Sequence, residues 1–504
     1  MPPWPEPSPS ATDLWAAERA HLASGPDAFA VALSGGGNRA ASFAIGVLAA
    51  LHERDALRRA HTVSAVSGGT YALSWLLLQP YHAARAAGSE RPPDGVLDAM
   101  FDPAGPYQRH LEASTGGGAS TAFGYWLATG FSALTDVTLV NALRLLTVPL
   151  AAGPKQAVGE LLNRTGTRRD YLTRIQRAYQ RQPGAAGRSL GRELLEGGIA
   201  ARRSLQLVEG VEPVTFPVLR DAARRAGLPA FVFNATVRTP RGSRAQGLAG
   251  RHFELASAGL GSDATGWLAW EDTEGHGWEP GSGAAAGGPR WRDLVSDERN
   301  SPFATVRNVN VASAISGAAV SGSNLPSRWA GRAVSLLNVG LEYAVPSLAS
   351  PRRLLWLSDG GHCENLGAYA LLRRGHRRIV VVDAEHDPLR RFVGYGRLRT
   401  AARELGLELR VPAIDEGAFA AAQPVLAGTI EEAGATVGEL RWIKLSLDPA
   451  LLGQGEREAV EGYAAGHPAF PQESTIDQFF EPAQYRAYRA LGTAVGRTLD
   501  WLDG

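Results

Sequence analysis

Ser67 stands in VSAVSGGTYALSWLL (Val63–Leu77), where a β-type run passes into a helix through the small neighbours Ala65, Gly68 and Gly69. A serine on a sharp strand-to-helix turn projects its hydroxyl from the top of a sheet, and only small residues leave room for such a turn. One βα step upstream, Leu33–Phe43 reads LSGGGNRAASF, a glycine loop between the apolar run Phe29–Leu33 and a helix beginning near Arg39. The N–H groups of Gly35, Gly36 and Gly37, with Gly68 after the serine, are backbone donors at helix starts, backed by helix dipoles. An ester under attack develops an oxyanion that needs donors already in position. The two segments together point to acyl transfer by a serine nucleophile beside an oxyanion hole. A glycine triplet after a strand also suits a plain loop or a phosphate cradle. The loop is neither GxGxxG nor GxxxxGK[ST], and no lysine follows it, which weakens a nucleotide reading.

The strings SGGGNRA and SAVSGGTYALSWLL, with the helix end ALHERDAL between them, resemble the patatin-like lipid acyl hydrolases and their relatives, the cytosolic phospholipases of the A group. The resemblance implies a serine and an aspartate working without a histidine, the aspartate lying far downstream in a DG[GA]-type turn. LLWLSDGGHCENLGAYALLRRG offers Asp359 ahead of Gly360 and Gly361. Leu354–Ser358 reads as a short strand and Leu366–Leu372 as the start of a helix. Asp359 thus falls at the carboxyl end of a strand, where open α/β sheets build their sites. By the same similarity Arg39 is assigned to a substrate phosphate; the plainer alternative is a helix-start arginine bound to a carboxylate elsewhere. Fainter likeness extends to FVFNATVR (Phe231–Arg238), VNVASAISGAAVSG (Val309–Gly322) and STIDQFFEPAQYRAYRALG (Ser474–Gly492). Ala65 replaces the family's usual first elbow glycine, which a methyl group tolerates if the backbone angles are ordinary.

The elements that must hold these groups imply an α/β fold: a three-layer patatin-like architecture with a central, mainly parallel sheet and a large, mostly helical insertion. Residues 1–26 read as an N-terminal tail with a short helix at Asp13–Leu22. Residues 27–85 form the first part of the catalytic domain, 86–227 a mostly helical insertion or lid, and 228–504 the second part with C-terminal helices. The runs FVFNATV, HFEL, AVSLLNV, LLWLS, RRIVVVD and ELRWIKLSL suit buried strands, and Pro482–Leu499 a closing helix. Within the insertion, the apolar stretch ending at Gly153 is interrupted by Asp136, Asn141, Arg144 and Pro149. It lacks the roughly 20 uninterrupted apolar residues of a spanning helix. Residues 120–152 therefore suit either lid or core helices or a segment that dips into lipid. The arginine-rich residues 164–225 suit a solvated helix face or one that meets anionic phospholipid.

With 504 residues, 44% of them hydrophobic, and a net charge of +1, the chain can bury large cores but carries no overall field for nucleic acid. Cys363 is the single cysteine, so neither an internal disulfide nor a cysteine metal cage is possible. HExxH is absent and His362-x-Glu364 lacks a PCxxC, so no metal or cofactor is expected. The proline-rich N-terminus lacks the basic and apolar regions of a secretory signal, which points to the cytoplasm and the inner face of the membrane. The expected partners are a phospholipid or other fatty-acyl ester and, transiently, a membrane surface. The function so expected is a serine lipid acyl hydrolase of phospholipase A or lysophospholipase type. Two rivals remain: a Ser-His-Asp carboxylesterase using the late His467, with His362, His376 and His386 also downstream of Ser67, and a catalytically silent lipid-binding membrane scaffold.

Overall fold

Strand β1 (Phe29–Leu33) alternates large and small side chains, and the alternation decides what packs on each face. Phe29, Val31 and Leu33 enter one hydrophobic core, Ala30 and Ala32 another. Each large side chain so buried stabilises by about 1.5–3 kcal/mol. The computed structural model describes residues 11–20, 28–115, 174–184, 211, 214–237, 251–273, 315–317, 343–348, 350–420, 423–475 and 479–499. The expected segment at 120–152, most of the arginine-rich stretch and the AVSLLNV strand lie outside the described residues.

Among the described residues, twelve strands form one sheet. After β1 come β2 (Ala60–Val66), β3 (Ala230–Val237), β4 (His252–Ala256), β5 (Gly259–Ser262), β6 (Gly266–Ala269), β7 (Tyr343–Ser347), β8 (Ser350–Asp359), β9 (Arg378–Asp383), β10 (Leu407–Arg410), β11 (Val425–Glu432) and β12 (Ala435–Lys444). Its centre, in the order β12-β9-β1-β2-β3, is parallel. Antiparallel wings extend it on both sides, β4 to β6 beyond β3 and β10 with β11 beyond β12. Strand β8 pairs antiparallel with β3. The expected three-layer α/β architecture is therefore present, with its parallel part concentrated in the five central strands.

Helices cover both faces. Helix α1 (Thr12–Ala20) precedes the sheet; residues 21 and 22 of the expected helix lie outside the described residues. On the first face lie α2 (Gly37–Glu53) and α3 (Gly68–Ala86), both buried along most of their length. Between residues 86 and 227 the described residues include α4 (Val96–Phe101), α5 (Pro106–Thr115), a π-helical turn at Gln176–Gln180 and α6 (Phe216–Arg225). On the second face lie α7 (Ala368–Arg373) and α8 (Val393–Glu404). Further along lie α9 (Gln454–Ala464) and α10 (Pro482–Gly496). Helix α10 lies backbone-close on α2: a Cβ at Gly46 would stand 2.0 Å from the Arg489 carbonyl oxygen, and one at Gly492 2.1 Å from that of Phe43. The helix behind the glycine loop is thus seated by α10. No helix among the described residues is long and apolar enough to cross a membrane.

Candidate active site

Register brings the proposed site residues to one edge of the sheet. Leu33 pairs with Ala65 in parallel strands, so the glycine loop after β1 and Ser67 after β2 emerge side by side. Val66 pairs with Asn234, and Ala235 with Asp359, so antiparallel β8 delivers its last residue next to the serine. The Ser67 hydroxyl donates to Asp359 Oδ2 at 3.0 Å across 292 residues of sequence. Both residues are buried.

Ser67 has φ 49° and ψ −119°, a left-handed turn that costs a non-glycine residue about 1–3 kcal/mol. The surroundings hold it there. Its N–H donates to Ser316 Oγ at 3.1 Å, and the Ser316 hydroxyl donates to the Asn234 carbonyl. Asn234 Nδ2 in turn donates to Ser64 Oγ at 2.9 Å and to the Ala65 carbonyl at 2.8 Å. The glycines after the serine answer to crowding: a Cβ at Gly68 would lie 2.1 Å from the Gly37 carbonyl oxygen, and one at Gly69 2.4 Å from that of Leu33. Ala65 lies within β2, where a methyl group fits ordinary strand geometry.

The second oxygen of Asp359, Oδ1, accepts the Gly361 N–H at 2.7 Å, which orients the carboxylate toward Ser67. Burial pushes the Asp359 carboxyl above its ordinary range, against the opposing pull of His362, the Gly361 amide and the Ser67 hydroxyl. A carboxylate raised in this way is a stronger base than one in water. Two turns of chain further on, burial lifts Glu364 to about 7 although it accepts the Leu366 and Tyr369 amides. Cys363, also buried, has its thiol pushed up to about 12 by desolvation, which makes it a poor nucleophile.

The glycine loop divides between two jobs. Gly36 (φ 141°) caps α2 and Gly37 (φ 61°) begins it, while Gly68 begins α3. Helix-start N–H groups have no acceptor within the helix, and the two helix starts abut, since a Cβ at Gly68 would lie 2.6 Å from the Gly37 nitrogen. Gly35 differs from the expectation: its N–H donates to the Asn365 carbonyl at 2.8 Å, which makes it a tie between the loop and the aspartate turn rather than a free donor. Asn365 also donates from Nδ2 to Glu385 Oε1 at 2.7 Å, and its Oδ1 lies against both Gly35 and Gly361.

Arg39 also departs from the phosphate role. Its guanidinium is buried and donates from Nε (3.2 Å) and Nη2 (3.1 Å) to the Ala384 carbonyl, and from Nη1 to the Glu473 carbonyl. Desolvation lowers its pKa, partly offset by Tyr488, Asp383, Glu385 and Glu473. Arg39 clips the glycine loop to the segments after β9 and before α10, and its partners are carbonyls rather than the carboxylate of the plainer alternative. His467 stacks on the Tyr463 ring at 3.8 Å and bonds the Tyr463 carbonyl through Nδ1. Sequence reasoning missed Asn234, Ser316 and Asn365. The available signal was a polar residue inside the apolar run FVFNATV, since buried polar groups are hydrogen-bonded.

No family model and no curated protein matches this sequence. Among solved structures, the fold is similar to that of human GIVD cytosolic phospholipase A2, with a TM-score of 0.54, 12% identity and coverage of 97% of this chain and 61% of that one. The same human enzyme in complex with methyl gamma-linolenyl fluorophosphonate gives a TM-score of 0.52 and 14% identity over the same shares. The likeness is one of fold, a related phospholipase fold, as the resemblance in the sequence implies. The chain spans about three fifths of the length of these structures.

Proposed function

We propose that this chain is a serine lipid acyl hydrolase of phospholipase A or lysophospholipase type, working through a Ser67/Asp359 dyad. The observation that carries the reading is the 3.0 Å hydrogen bond from Ser67 Oγ to Asp359 Oδ2, at a left-handed turn beside two helix starts. Residues 27–85 and 228–504 form the catalytic unit and 86–227 are inserted into it.

Asp359 takes the Ser67 proton as Oγ attacks the ester carbonyl carbon. The N–H groups of Gly36, Gly37 and Gly68 receive the negative charge that develops on the carbonyl oxygen. The ester C–O bond then breaks, Asp359 returns the proton to the leaving alcohol, and the acyl group remains on Ser67. Water enters, gives its proton to Asp359 and attacks the acyl carbon; the fatty acid leaves and the proton returns to Ser67 Oγ. One carboxyl group thus serves as base and acid in turn. The Gly361 amide keeps it aimed, and Asn365 and Arg39 hold the loops on either side.

The test is hydrolysis of a short acyl ester and of phospholipid vesicles by the full chain and by Ser67→Ala, Asp359→Asn and His467→Ala. The first two variants lose both activities and the third keeps them. A dead His467→Ala beside an active Asp359→Asn replaces the dyad with a histidine triad. A folded wild type inert on every ester makes the chain a lipid-binding scaffold.

A further inference from the structure

We propose that residues 385–393 and the first turn of α8 form a docking surface for an anionic phospholipid bilayer at the rim of the Ser67 site. The inference rests on the lipid-ester reading of that site. Among the described residues three large hydrophobic side chains are exposed, and two of them belong here: Leu389 at 68% and Val393 at 55%. Exposed Arg390, Arg391 and Arg397 flank them in the chain, Arg390 over the Phe419 ring at 5.2 Å and Arg397 one helical turn beyond Val393 on the same face of α8.

The charges of this segment are sorted by sign. Its carboxylates turn inward: Glu385 accepts from Asn365, and Asp387 accepts the Arg391 and Phe392 amides at 2.8 Å each. Its arginines stay outside. An exposed apolar pair flanked by cations complements an anionic headgroup layer above acyl chains, which takes apolar side chains and positive charge together.

The loop is built to keep this shape. Arg390 (φ 52°) and Phe392 (φ 48°) are left-handed, a strain that surrounding contacts must hold. Phe392 is buried under the Lys444 ammonium at 5.3 Å, and the Asp387 N–H donates to Gln472 Oε1 at 2.8 Å. Its place serves the reaction. Strand β9 runs parallel to β1 with Val382 opposite Leu33, so the segment leaves the sheet at the edge that carries the glycine loop. Ala384, where it starts, is the residue whose carbonyl receives Arg39 and stands 2.9 Å from where a Cβ on Gly36 would be. The segment that carries Leu389 and Val393 therefore starts beside the glycine loop.

Co-sedimentation with phosphatidylcholine vesicles, with and without phosphatidylglycerol, tests this on the full chain. Wild type binds the anionic vesicles more tightly, and salt weakens the binding. Arg390→Gln/Arg391→Gln weakens binding to anionic vesicles about 25-fold, since each arginine near such a surface contributes about fivefold. Leu389→Ser/Val393→Ser weakens it about tenfold. Both variants hydrolyse a soluble short ester as wild type does, which reports a folded, intact site. Equal vesicle binding by wild type and both variants overturns the proposal, as does a wild type that binds no vesicle. A dimer dissolved by Leu389→Ser/Val393→Ser in sedimentation velocity overturns it in favour of a second copy. Because binding is read without catalysis, an inert wild type that still binds vesicles through these residues sinks only the hydrolase reading.

Discussion

At the serine edge, the buried carboxylate of Asp359 is bonded to a hydroxyl and an amide. In the knot that fastens α1 to the sheet, the buried carboxylates of Glu18 and Glu254 are both bonded to Arg374, at 2.7 and 2.6 Å. Burial raises the pKa of Asp359, and its partners only partly offset the rise. Burial pushes Glu254 up as well, yet Arg374, His252 and Arg373 bring it down to about 2. Two carboxylates equally withdrawn from water thus end on opposite sides of their ordinary value. Burial alone does not make a base; a buried carboxylate facing hydrogen bonds without a bonded cation retains affinity for a proton, and one gripped by guanidinium becomes a fastener.

Breaking the first region should abolish chemistry and leave the fold. Ser67→Ala or Asp359→Asn lowers the ester hydrolysis rate by about 10⁴-fold or more. The thermal midpoint of Asp359→Asn does not fall, because a buried charge is replaced by a neutral group of the same shape. Breaking the second region should do the reverse. Arg374→Met strands Glu18 and Glu254 in the interior and costs about 3–5 kcal/mol of stability by denaturant titration, while the protein that remains folded keeps its rate. A loss of rate without loss of stability in Arg374→Met would erase the contrast.

A smaller change tests the joint between the two helix starts. Gly68→Ala puts a methyl group 2.1 Å from the Gly37 carbonyl oxygen and must push α2 from α3. It lowers the rate about 100-fold through displaced donors and costs about 1–3 kcal/mol.

The subtlest test is pH. In the proposed dyad Asp359 acts ionised, so the rate should fall as acidification passes its raised pKa, with the acid limb above the ordinary carboxylate range. The stability signs are opposite in the two regions. A raised folded-state pKa means that the contribution of Asp359 is present at low pH and lost as pH rises. Glu364 behaves likewise, its contribution fading between its ordinary 4.5 and about 7. Glu254 contributes fully above 4.5 and loses its contribution as pH falls toward about 2. Unfolding midpoints across pH in wild type and Arg374→Met separate these opposing slopes.

The parts legible in the sequence are the local ones. The strand, glycine loop and helix around Gly36, and the strand, serine and helix around Ser67, each lie within one βα step and carry their own turn chemistry. Asp359 became legible only through the resemblance, because its nearness to Ser67 depends on β8 pairing backward onto β3. The partners of Arg39 lie 345 and 434 residues away, so the resemblance suggested a phosphate while the fold supplied two carbonyls. The tie made by Gly35 was hidden for the same reason, since a glycine triplet does not reveal which of its amides meets Asn365. The antiparallel wings were equally opaque, because short runs such as β5 and β10 have no signature that distinguishes strand direction.

The claim that Ser67 is a nucleophile served by Asp359 is tested most directly by locating a fluorophosphonate adduct by peptide mass spectrometry and timing its formation. A single adduct is expected on the peptide that carries Ser67, absent in Ser67→Ala and formed far more slowly in Asp359→Asn. An adduct on another serine, or one formed on Ser67 at the same rate in Asp359→Asn, would contradict it.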